Sequence, residues 1–294
     1  MTADTAGGIG IRTAVSAPVT RTSELIDLSQ SSLRRDRGAI LKRYSWLLRF
    51  LVPLFVLAVW QVGSQLGFIS PRKLAPPALV VDAAIELLQS GDLQTALRVS
   101  LLRAATGLAW GISIGLSIGV IAGLSRLGDQ IFDSSLQMIR TIPFIALIPL
   151  FIVWFGIDDA PKIILVAVAC IFPVYLNTYA GVRNVDPKLL EVGRTFGLSR
   201  LAIIFQIILP NALPGVLVGV RYAMGTSLLA LVAAEQINAA SGLGYLIMNA
   251  SNEIRTDIVI VGVMLYALLG LSVDMIIRGV EALLLPWRVT VVSK

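Results

Sequence analysis

Several ionisable side chains lie inside long apolar stretches of this chain, among them Arg221, Glu235, Asp274 and Arg278. Charges in such surroundings are costly unless they are paired or hydrated, so they usually face the interior of a helix bundle or a polar pathway through it. Arg221 is open to three interpretations: an ion pair, a side chain that reaches a polar surface, or part of a pathway. We expect Glu235, near the end of its stretch, to lie at an interface with water. Asp274 and Arg278 are four residues apart, so pairing on one helix face is the simplest explanation for both.

Two further stretches place polar or helix-breaking residues where apolar ones would cost less. Tyr175 and Asn177 follow Pro173 in CIFPVYLNTYAG, and Pro143 and Pro149 interrupt IRTIPFIALIPLFIVWFGI. Each proline removes a backbone donor and clashes with the preceding turn, which predicts kinked helices. The carbonyl groups freed by a kink need partners, so we expect both helices to lie against other helices or a water-filled path.

The residues that most enzymes require are missing from this sequence. The chain has no histidine and a single cysteine, Cys170, within an apolar run. Histidine metal sites, disulfide frameworks and imidazole-dependent serine or cysteine catalysis are therefore excluded together. There is no G-x-x-x-x-G-K-[ST] loop, so we expect no directly bound ATP, and we expect no metal or other cofactor. The sequence thus has no recognisable acid–base constellation to support the alternative of a membrane-bound enzyme.

The elements that must position these side chains are membrane-spanning helices. Hydrophobic residues make up 56% of the 294 residues and charged ones 14%, with a mean hydropathy of +0.83, which exceeds what a soluble domain tolerates. A helix needs about 20 apolar residues to cross a bilayer. This predicts an all-α, polytopic membrane protein with six transmembrane helices, over residues 46–67, 97–124, 134–157, 160–182, 211–236 and 258–284.

The distribution of lysine and arginine predicts the orientation of these spans. Six spans place both termini on one side, and the basic residues concentrate in the segments on that side, which are residues 1–45, 125–130, 183–210 and 285–294. The positive-inside rule assigns this side to the cytoplasm. The net charge of +6 is therefore explained by topology, and we expect no nucleic acid partner, because such binding needs the charge gathered on one soluble face.

Three regions follow from this topology. Residues 1–45 are rich in Ser, Thr, Gly, Ala and Arg, without an apolar run long enough for a signal peptide, and we expect a disordered cytoplasmic arm. Residues 46–285 form the transmembrane domain, and 286–294 a cytoplasmic tail. Before the second span, residues 79–104 have helical spacing with acids early and bases late, which predicts an external amphipathic helix that leads into that span.

The second span carries glycines at a strict four-residue period, which places them along one face of a helix. Small residues at this spacing let helix backbones approach closely in a membrane. We therefore predict a packing face, within this chain or toward a second copy, formed by Gly107, Gly111, Gly115, Gly119 and Gly123.

The stretch EVGRTFGLSRLAIIFQIILP, residues 191–210, is too polar at its start to span a membrane, and its apolar part is too short. Pro187 suits a first helical turn capped by Asp186, Gly197 interrupts the helix, and Ser199 can cap a second one. We expect two short helices that meet at a bend on the cytoplasmic face. Such helices serve to adsorb to lipid or to dock on a soluble partner, and the few basic residues here favour docking.

This stretch resembles the signature loop of importer-type ABC permeases, E-A-A, three residues, G, nine residues, I, one residue, L-P. Glu191, Gly197, Ile207, Leu209 and Pro210 match in register, while Val192 and Gly193 replace the two alanines. The extra glycine predicts a looser first helix. The resemblance covers about residues 46–285, and IPLFIVWFGID, FPVYLNTYAGVRNVD and SGLGYLIMNA are similar to the aliphatic sulfonate branch of the permeases for nitrate, taurine, aliphatic sulfonates and bicarbonate.

The resemblance implies a type I ABC importer permease with the MetI-like fold, in a bacterial cytoplasmic membrane. It implies that the 183–210 segment couples to two ATP-hydrolysing subunits, and that a second permease copy and an external substrate-binding protein complete the transporter. The transported molecule would be an aliphatic sulfonate or a related oxyanion such as taurine, nitrate or bicarbonate. Candidate residues of its pathway are Arg221, Asn177, Tyr175, Pro143 and Pro149.

The alternative of another class is a self-sufficient channel or ion-coupled carrier. It would need coupling acids deep within the spans. Asp274 is the nearest such acid, and its expected pairing with Arg278 leaves the carrier without one.

Overall fold

The computed structural model describes residues 51–133, 138–139 and 141–286, and every regular element in these ranges is helical. The arm over 1–45 and most of the tail over 286–294 therefore lie outside the described residues. The chain divides into two units, Met1–Val59 and Trp60–Lys294. The boundary falls within the first apolar helix, α1 (Leu51–Gln65), which coincides with the first predicted span. The second unit holds all the elements discussed below.

The predicted external helix and the second span are separated by one glycine. Helix α2 (Pro77–Ser90) ends at Gly91, whose φ of 84° is the left-handed conformation that favours glycine, and α3 (Asp92–Leu124) begins directly after it. Helix α3 has 33 residues, enough to cross a bilayer with more than a turn to spare. The predicted amphipathic helix is thus α2 together with the first turns of α3.

The third predicted span is broken rather than merely kinked. A 3₁₀ turn, Phe144–Leu147, follows Pro143, and a short helix, α4 (Ile148–Phe155), has Pro149 in its first turn. Proline fits a first helical turn because the amide it removes has no helical partner there. The two prolines therefore start two successive helical pieces, which is why no single kinked helix covers this stretch.

Two long helices form the centre of the described bundle. Helix α5 (Ala160–Arg183) is enclosed by α3 on one side and by α7 (Leu209–Asn238) on another. A buried apolar cluster joins these three helices through small and branched side chains: Ala104, Val166, Cys170, Val174, Ala223, Ala230 and Leu231. Helix α5 thus positions the two helices that carry most of the candidate residues.

The remaining helices lie at the two ends of the bundle or beside it. Helix α6 (Pro187–Thr195) follows α5, α8 (Leu243–Asn252) follows α7, and α9 (Thr256–Leu284) closes the chain. A second buried cluster packs α2 and α8 against the start of α9. This region is called the α2/α8 end below, and the opposite end carries the 183–210 segment.

Four helices in the described ranges are long and apolar enough to cross a membrane: Asp92–Leu124, Ala160–Arg183, Arg200–Ile237 and Thr256–Leu284. They correspond to the second, fourth, fifth and sixth predicted spans. The first and third predicted spans correspond to the shorter apolar helices Leu51–Gln65 and Phe144–Phe155. The chain is therefore an all-helical membrane protein.

Candidate functional site

The 183–210 segment has the predicted bend between two helical pieces. The Asp186 side chain accepts a hydrogen bond from the Lys188 amide at 2.9 Å and caps α6, and the Ser199 hydroxyl accepts one from the Ala202 amide at 3.2 Å. Both predicted caps are confirmed. Gly197 has a φ of 75°, which only glycine adopts without strain, so it makes the turn between them.

The second piece is not a separate short helix as we predicted. The helix begins at Arg200, passes through a π-helical turn at Ile204–Ile208 and continues as α7. Pro210 lies two residues after the π-helical turn and does not end the helix, and Pro214 lies further inside it. Residues 200–238 thus form one uninterrupted helical segment from the bend to the α2/α8 end.

Gly193 packs closely against Ile207. Gly193 is buried, and a methyl group at this position would lie 2.6 Å from Cδ1, the far end of the Ile207 side chain. This contact joins α6 to the π-helical turn that precedes α7. Two positions of the signature, far apart in sequence, are in direct contact.

The bend carries exposed apolar side chains. Phe196 is 82% exposed, and its neighbours Val192 and Leu201 are also largely exposed, as is Phe205 one turn later. Glu191 presents its side chain on the same exposed helix. Phe196 was not singled out in the sequence, although an aromatic residue directly before a left-handed glycine, outside any span, is a recognisable signal.

The five glycines of α3 lie against α5. A Cβ atom added at Gly107, Gly111, Gly119 or Gly123 would approach a Cβ or Cγ atom of α5 to 2.5–2.7 Å, and at Gly115 it would lie 2.7 Å from a backbone oxygen. The facing residues of α5 advance by four with each glycine, so the two helices run parallel in register: Val166, Cys170, Val174, Thr178 and Val182. Even an alanine on this face would push the helices apart.

A buried polar network connects α3, α7 and α8 near the α2/α8 end. The Glu235 side chain is fully enclosed, and its carboxylate accepts hydrogen bonds from Arg103 Nη1 at 2.8 Å and from the Ser100 hydroxyl at 2.8 Å. The oxygen that Ser100 contacts at 2.8 Å, Oε2, also accepts from the Gly244 amide at 2.9 Å, at the first turn of α8. A carboxylate at a helix N-terminus is favourable because the unpaired amides point toward it. Glu235 therefore caps a helix to which it does not belong.

Arg103 extends this network to the start of α5. Its Nε and Nη2 donate to Asp159 Oδ1 at 2.9 and 2.6 Å, and Nη1 also donates to the Ser241 carbonyl at 2.6 Å. This site was not predicted from the sequence. Glu235 was expected at an interface, and that expectation is wrong: its side chain is fully buried, and Arg103, 132 residues earlier, neutralises it. The detectable signal was Arg103 itself, a charge in a predicted span that needs an acidic partner.

The glycines of SGLGYLIMNA make room for this network. Gly242 has a φ of 119°, and a Cβ atom there would collide with the Glu235 carboxylate. A Cβ atom on Gly244 would lie 2.6 Å from Glu235 Cβ. The motif thus fixes the start of α8 over a buried charge.

Arg221 lines an open groove on the α7 and α9 surface, called the Arg221 groove below. Its Nη2 donates to Glu281 Oε2 at 2.7 Å, so the interpretation as an ion pair holds. The Arg221 side chain is nevertheless 41% exposed, and its Nε has no partner among the described residues. The groove has a volume of about 500 Å³, and its walls include Tyr222, Thr226, Leu229, Val232 and Tyr266.

The other pathway candidates lie elsewhere. Tyr175 is fully buried and stacks on Tyr179, and Asn177 donates from Nδ2 to the Pro173 carbonyl at 2.8 Å. The carbonyl that Pro173 leaves without its helical donor is that of Ala169, and it accepts a hydrogen bond from the Thr226 hydroxyl of α7 at 3.5 Å. Pro143 and Pro149 are exposed in the middle of the third predicted span. None of these four lines the Arg221 groove, and their role in a pathway stays a prediction.

Asp274 and Arg278 form the predicted pair, with Arg278 Nη2 at 2.8 Å from Asp274 Oδ2. The described residues contain no group of three or more Cys, Asp or Glu side chains that could hold a metal ion.

The α2/α8 end carries an exposed ion pair beside a second cavity. Arg255 donates to Glu86 Oε2 at 2.9 Å and to Asp257 Oδ2 at 2.8 Å. The hydrogen bond that Arg255 donates, together with its positive charge, lowers the pKa of Glu86 below its ordinary value. The same hydrogen bond raises the pKa of Arg255. The cavity has a volume of about 410 Å³, and its lining includes Glu86, Asp92, Asn249 and Glu253.

Residues 111–285 match the family described as binding-protein-dependent transport system inner membrane component. The chain is 48% identical over 246 residues to the putative aliphatic sulfonates transport permease protein SsuC of Escherichia coli strain K12, covering 83% of this chain and 94% of the relative. It is 43% identical to the protein of the same description in Bacillus subtilis strain 168, covering 84% and 90%. A chain in a crystal structure of an amino acid ABC transporter with histidines has the same fold, with a TM-score of 0.56 at 18% identity over 69% of this chain and 97% of that one.

Proposed function

Because the chain belongs to the family of binding-protein-dependent transport system inner membrane components, we propose that it carries aliphatic sulfonates across the membrane. Membership makes it a permease subunit of an ABC importer. The sulfonate substrate rests on the two SsuC relatives, each of which is matched over nine-tenths of its length or more. Taurine, nitrate and bicarbonate remain the alternatives that an experiment must separate.

The exposed apolar surface at the Gly197 bend is the observation that supports ATP-hydrolysing partner subunits as the energy source. Val192 and Phe196 lie outside the long apolar helices, so in a lone chain they would contact water, and the exposed Leu201 lies beside them in the first turn of Arg200–Ile237. Contiguous exposed apolar side chains mark a protein contact site. A large aromatic residue at the tip of a turn is the type of residue that fills a pocket and dominates an interface. We infer that two ATP-hydrolysing subunits dock on this surface in the assembled transporter.

The uninterrupted helical segment over 200–238 connects that surface mechanically to the membrane interior. Because no loop separates the bend from α7, a displacement at Phe196 moves the helix that carries Arg221. The contact between Gly193 and Ile207 packs α6 against this helical segment. Closure of the ATPase pair would then shift α7, with the π-helical turn and Pro214 as points where it can bend, which is the kind of motion that alternates access to a central path.

The assembly we propose has two copies of this permease and an external binding protein. Six spans, with α1 and the α4 region as the first and third, put both termini and the 183–210 segment in the cytoplasm. The α2/α8 end then faces outward, where its acidic cavity with Glu86, Asp92 and Glu253 is available to the binding protein. Arg221, half-exposed within an apolar helix, supports a face that is turned toward the inside of the assembly rather than toward lipid, since a charge facing lipid is costly.

The substrate is tested by growth of a strain that lacks this protein, on methanesulfonate, butanesulfonate, taurine or sulfate as sole sulfur source. Nitrate as sole nitrogen source is examined in parallel. We expect growth to fail on the alkanesulfonates and persist on sulfate, with rescue by the wild-type gene. Failure on taurine or nitrate alone would move the substrate within the family, and normal growth on the alkanesulfonates would contradict the proposal.

The coupling surface is tested with a matched pair of exposed phenylalanines. Phe196→Ser removes the side chain at the bend, while Phe68→Ser removes one that is 84% exposed between α1 and α2. We expect Phe196→Ser to abolish co-purification of the ATPase subunit and rescue of growth, and Phe68→Ser to retain the ATPase subunit. Equal retention of the ATPase by both variants would contradict docking at the bend.

A further inference from the structure

The Arg221 groove has one charged end and one apolar end, both on the same face of α7. Arg221, Tyr222 and Thr226 supply the polar end, and Leu229 and Val232 follow along the helix. At 1.5 Å per residue, the distance along the helix from Arg221 to Val232 is about 16 Å. The volume of about 500 Å³ is within the range of small-molecule sites.

The charged end has unused capacity to bind an anion. Among the described residues, the guanidinium of Arg221 makes one side-chain hydrogen bond, to Glu281, and its Nε is enclosed without a partner. Arginine carries five N–H donors in a planar fork that matches an oxyanion. Arg103, by contrast, directs all three of its nitrogens to Glu235, Asp159 and Ser241. The difference indicates that Arg221 is not there only to join two helices.

Two glycines line the groove at positions where no neighbouring atom requires a glycine. A Cβ atom added at Gly225 or Gly270 would meet nothing within 4 Å, whereas the α3 glycines are in close contact with α5. Glycine costs helix stability relative to alanine, so it is disfavoured where no neighbour requires it. Leu229, 66% exposed, borders this space. The groove therefore offers an uncovered apolar surface next to a cation.

We propose that the Arg221 groove holds the substrate in transit, with its anionic head on Arg221 and its alkyl chain along Gly225, Leu229 and Val232. This inference rests on the proposed function and assigns the residues that select the substrate. An organic anion with an apolar tail matches both ends, whereas nitrate or bicarbonate would leave the apolar end unused. Glu281 keeps Arg221 paired when the groove is empty, and the anion uses the donors that Glu281 leaves free.

The head-group site is tested in liposomes containing the complete transporter, with its ATPase subunits and the binding protein, by uptake of labelled methanesulfonate and octanesulfonate. The double variant Arg221→Met, Glu281→Leu removes both charges without leaving either unpaired. The control, Arg278→Met with Asp274→Leu, removes an exposed pair on α9. We expect the first double variant to lower uptake of both sulfonates about tenfold or more, the cost of one charged hydrogen bond, while ATP hydrolysis remains stimulated by the binding protein. Wild-type uptake in this variant would overturn the site.

The tail site is tested with Leu229→Trp, which fills the apolar end, and with Met275→Trp, an equally exposed position of α9 outside the groove. We expect Leu229→Trp to reduce uptake of octanesulfonate several-fold more than that of methanesulfonate, and Met275→Trp to affect both alike. An equal loss for both chain lengths in Leu229→Trp, as a contact with the second copy would give, overturns the tail assignment. A wild-type transporter that takes up no alkanesulfonate contradicts the proposed function itself, and this is evident before any variant is measured.

Discussion

Two arginine–glutamate pairs are attached to α7, and they differ in how completely the arginine is used. Arg103 and Glu235 are fully buried and bonded on every side by Ser100, Asp159 and the start of α8. Arg221 and Glu281 share one bond on a half-exposed surface, and Arg221 Nε has no partner in the described part of the chain. A saturated pair fixes helices, whereas an unsaturated one at the edge of a groove retains donors for a ligand.

The same contrast holds for the glycines of the two regions. Those of α3 remove side chains so that α3 and α5 can touch, and their positions leave no room for a methyl group. Gly225 and Gly270 remove side chains where no other atom is near. The α3 glycines thus allow close packing against α5, whereas Gly225 and Gly270 border the open space of the Arg221 groove. Four stability measurements on the purified permease in detergent would sharpen or break this comparison.

The largest effect is expected from removing one arginine of each pair. Arg103→Met leaves the Glu235 carboxylate buried without its cation, which costs about 3–5 kcal/mol. Arg221→Met leaves Glu281 partly exposed, and we expect a loss of about 1 kcal/mol or less. Thermal unfolding of the two variants measures the difference. Equal destabilisation would show that both pairs are structural and would break the comparison.

The next effect separates the two sets of glycines. Gly111→Ala places a methyl group against Cys170 Cβ and the Ala167 carbonyl, and overpacking of this kind costs about 1–3 kcal/mol. Gly225→Ala meets no atom, and we expect it to stabilise α7 by about 0.5–1 kcal/mol through helix propensity. The sign of the change in the unfolding midpoint, measured for each of the two variants, tests this difference. A destabilising Gly225→Ala would mean that the groove is closed by an unseen neighbour.

A smaller effect is expected from exchanging each arginine for lysine. At position 103 a lysine cannot reproduce the fork that reaches Glu235, Asp159 and the Ser241 carbonyl, and we expect a loss of about 1–2 kcal/mol. At position 221 a lysine can keep its one ion pair, with a loss of about 0.5 kcal/mol or less. If Arg221→Lys were the more damaging of the two in the lone subunit, the assignment of Arg103 as the saturated site would be wrong.

The smallest effect concerns the exposed pair of Arg255 with Glu86. Because the pKa of Glu86 is lowered in the folded protein, its contribution is present above the ordinary value of 4.5 and is lost as the pH falls through the lowered value. Wild type and Glu86→Gln should therefore differ slightly at neutral pH and converge in acid. The unfolding midpoint followed from pH 7 to pH 3 tests this, and a difference that grows in acid would contradict the pairing.

Local features of the fold were predictable because neighbouring residues determine them. The caps at Asp186 and Ser199, the bend at Gly197 and the pair of Asp274 with Arg278 all depend on residues within four positions, and all are confirmed. Hydropathy likewise located the four long apolar helices, since it depends only on composition within a window. The family resemblance was equally local, resting on short motifs.

The remaining features depend on contacts between distant residues, and they were missed or misjudged. Glu235 was expected at an interface because it lies near the end of its apolar stretch, yet it is buried and Arg103 neutralises it from another helix. From the sequence, Tyr175 and Asn177 were pathway candidates alongside Arg221; Tyr175 is buried and Asn177 donates to the Pro173 carbonyl, and their role in a pathway stays a prediction. Only the structure separates polar groups that are already satisfied from Arg221, which is not.

The most direct test of an open, water-filled groove uses the single cysteine of the chain. Cys170 is buried, so the wild-type transporter gives a low background with a water-soluble, negatively charged thiol reagent. We would introduce Gly225→Cys and measure its rate of modification in the assembled transporter in membranes, with and without butanesulfonate. We expect fast modification that butanesulfonate slows. A cysteine at position 225 as unreactive as Cys170 would show that the groove is covered by lipid or protein, and would contradict its role as the path of the substrate.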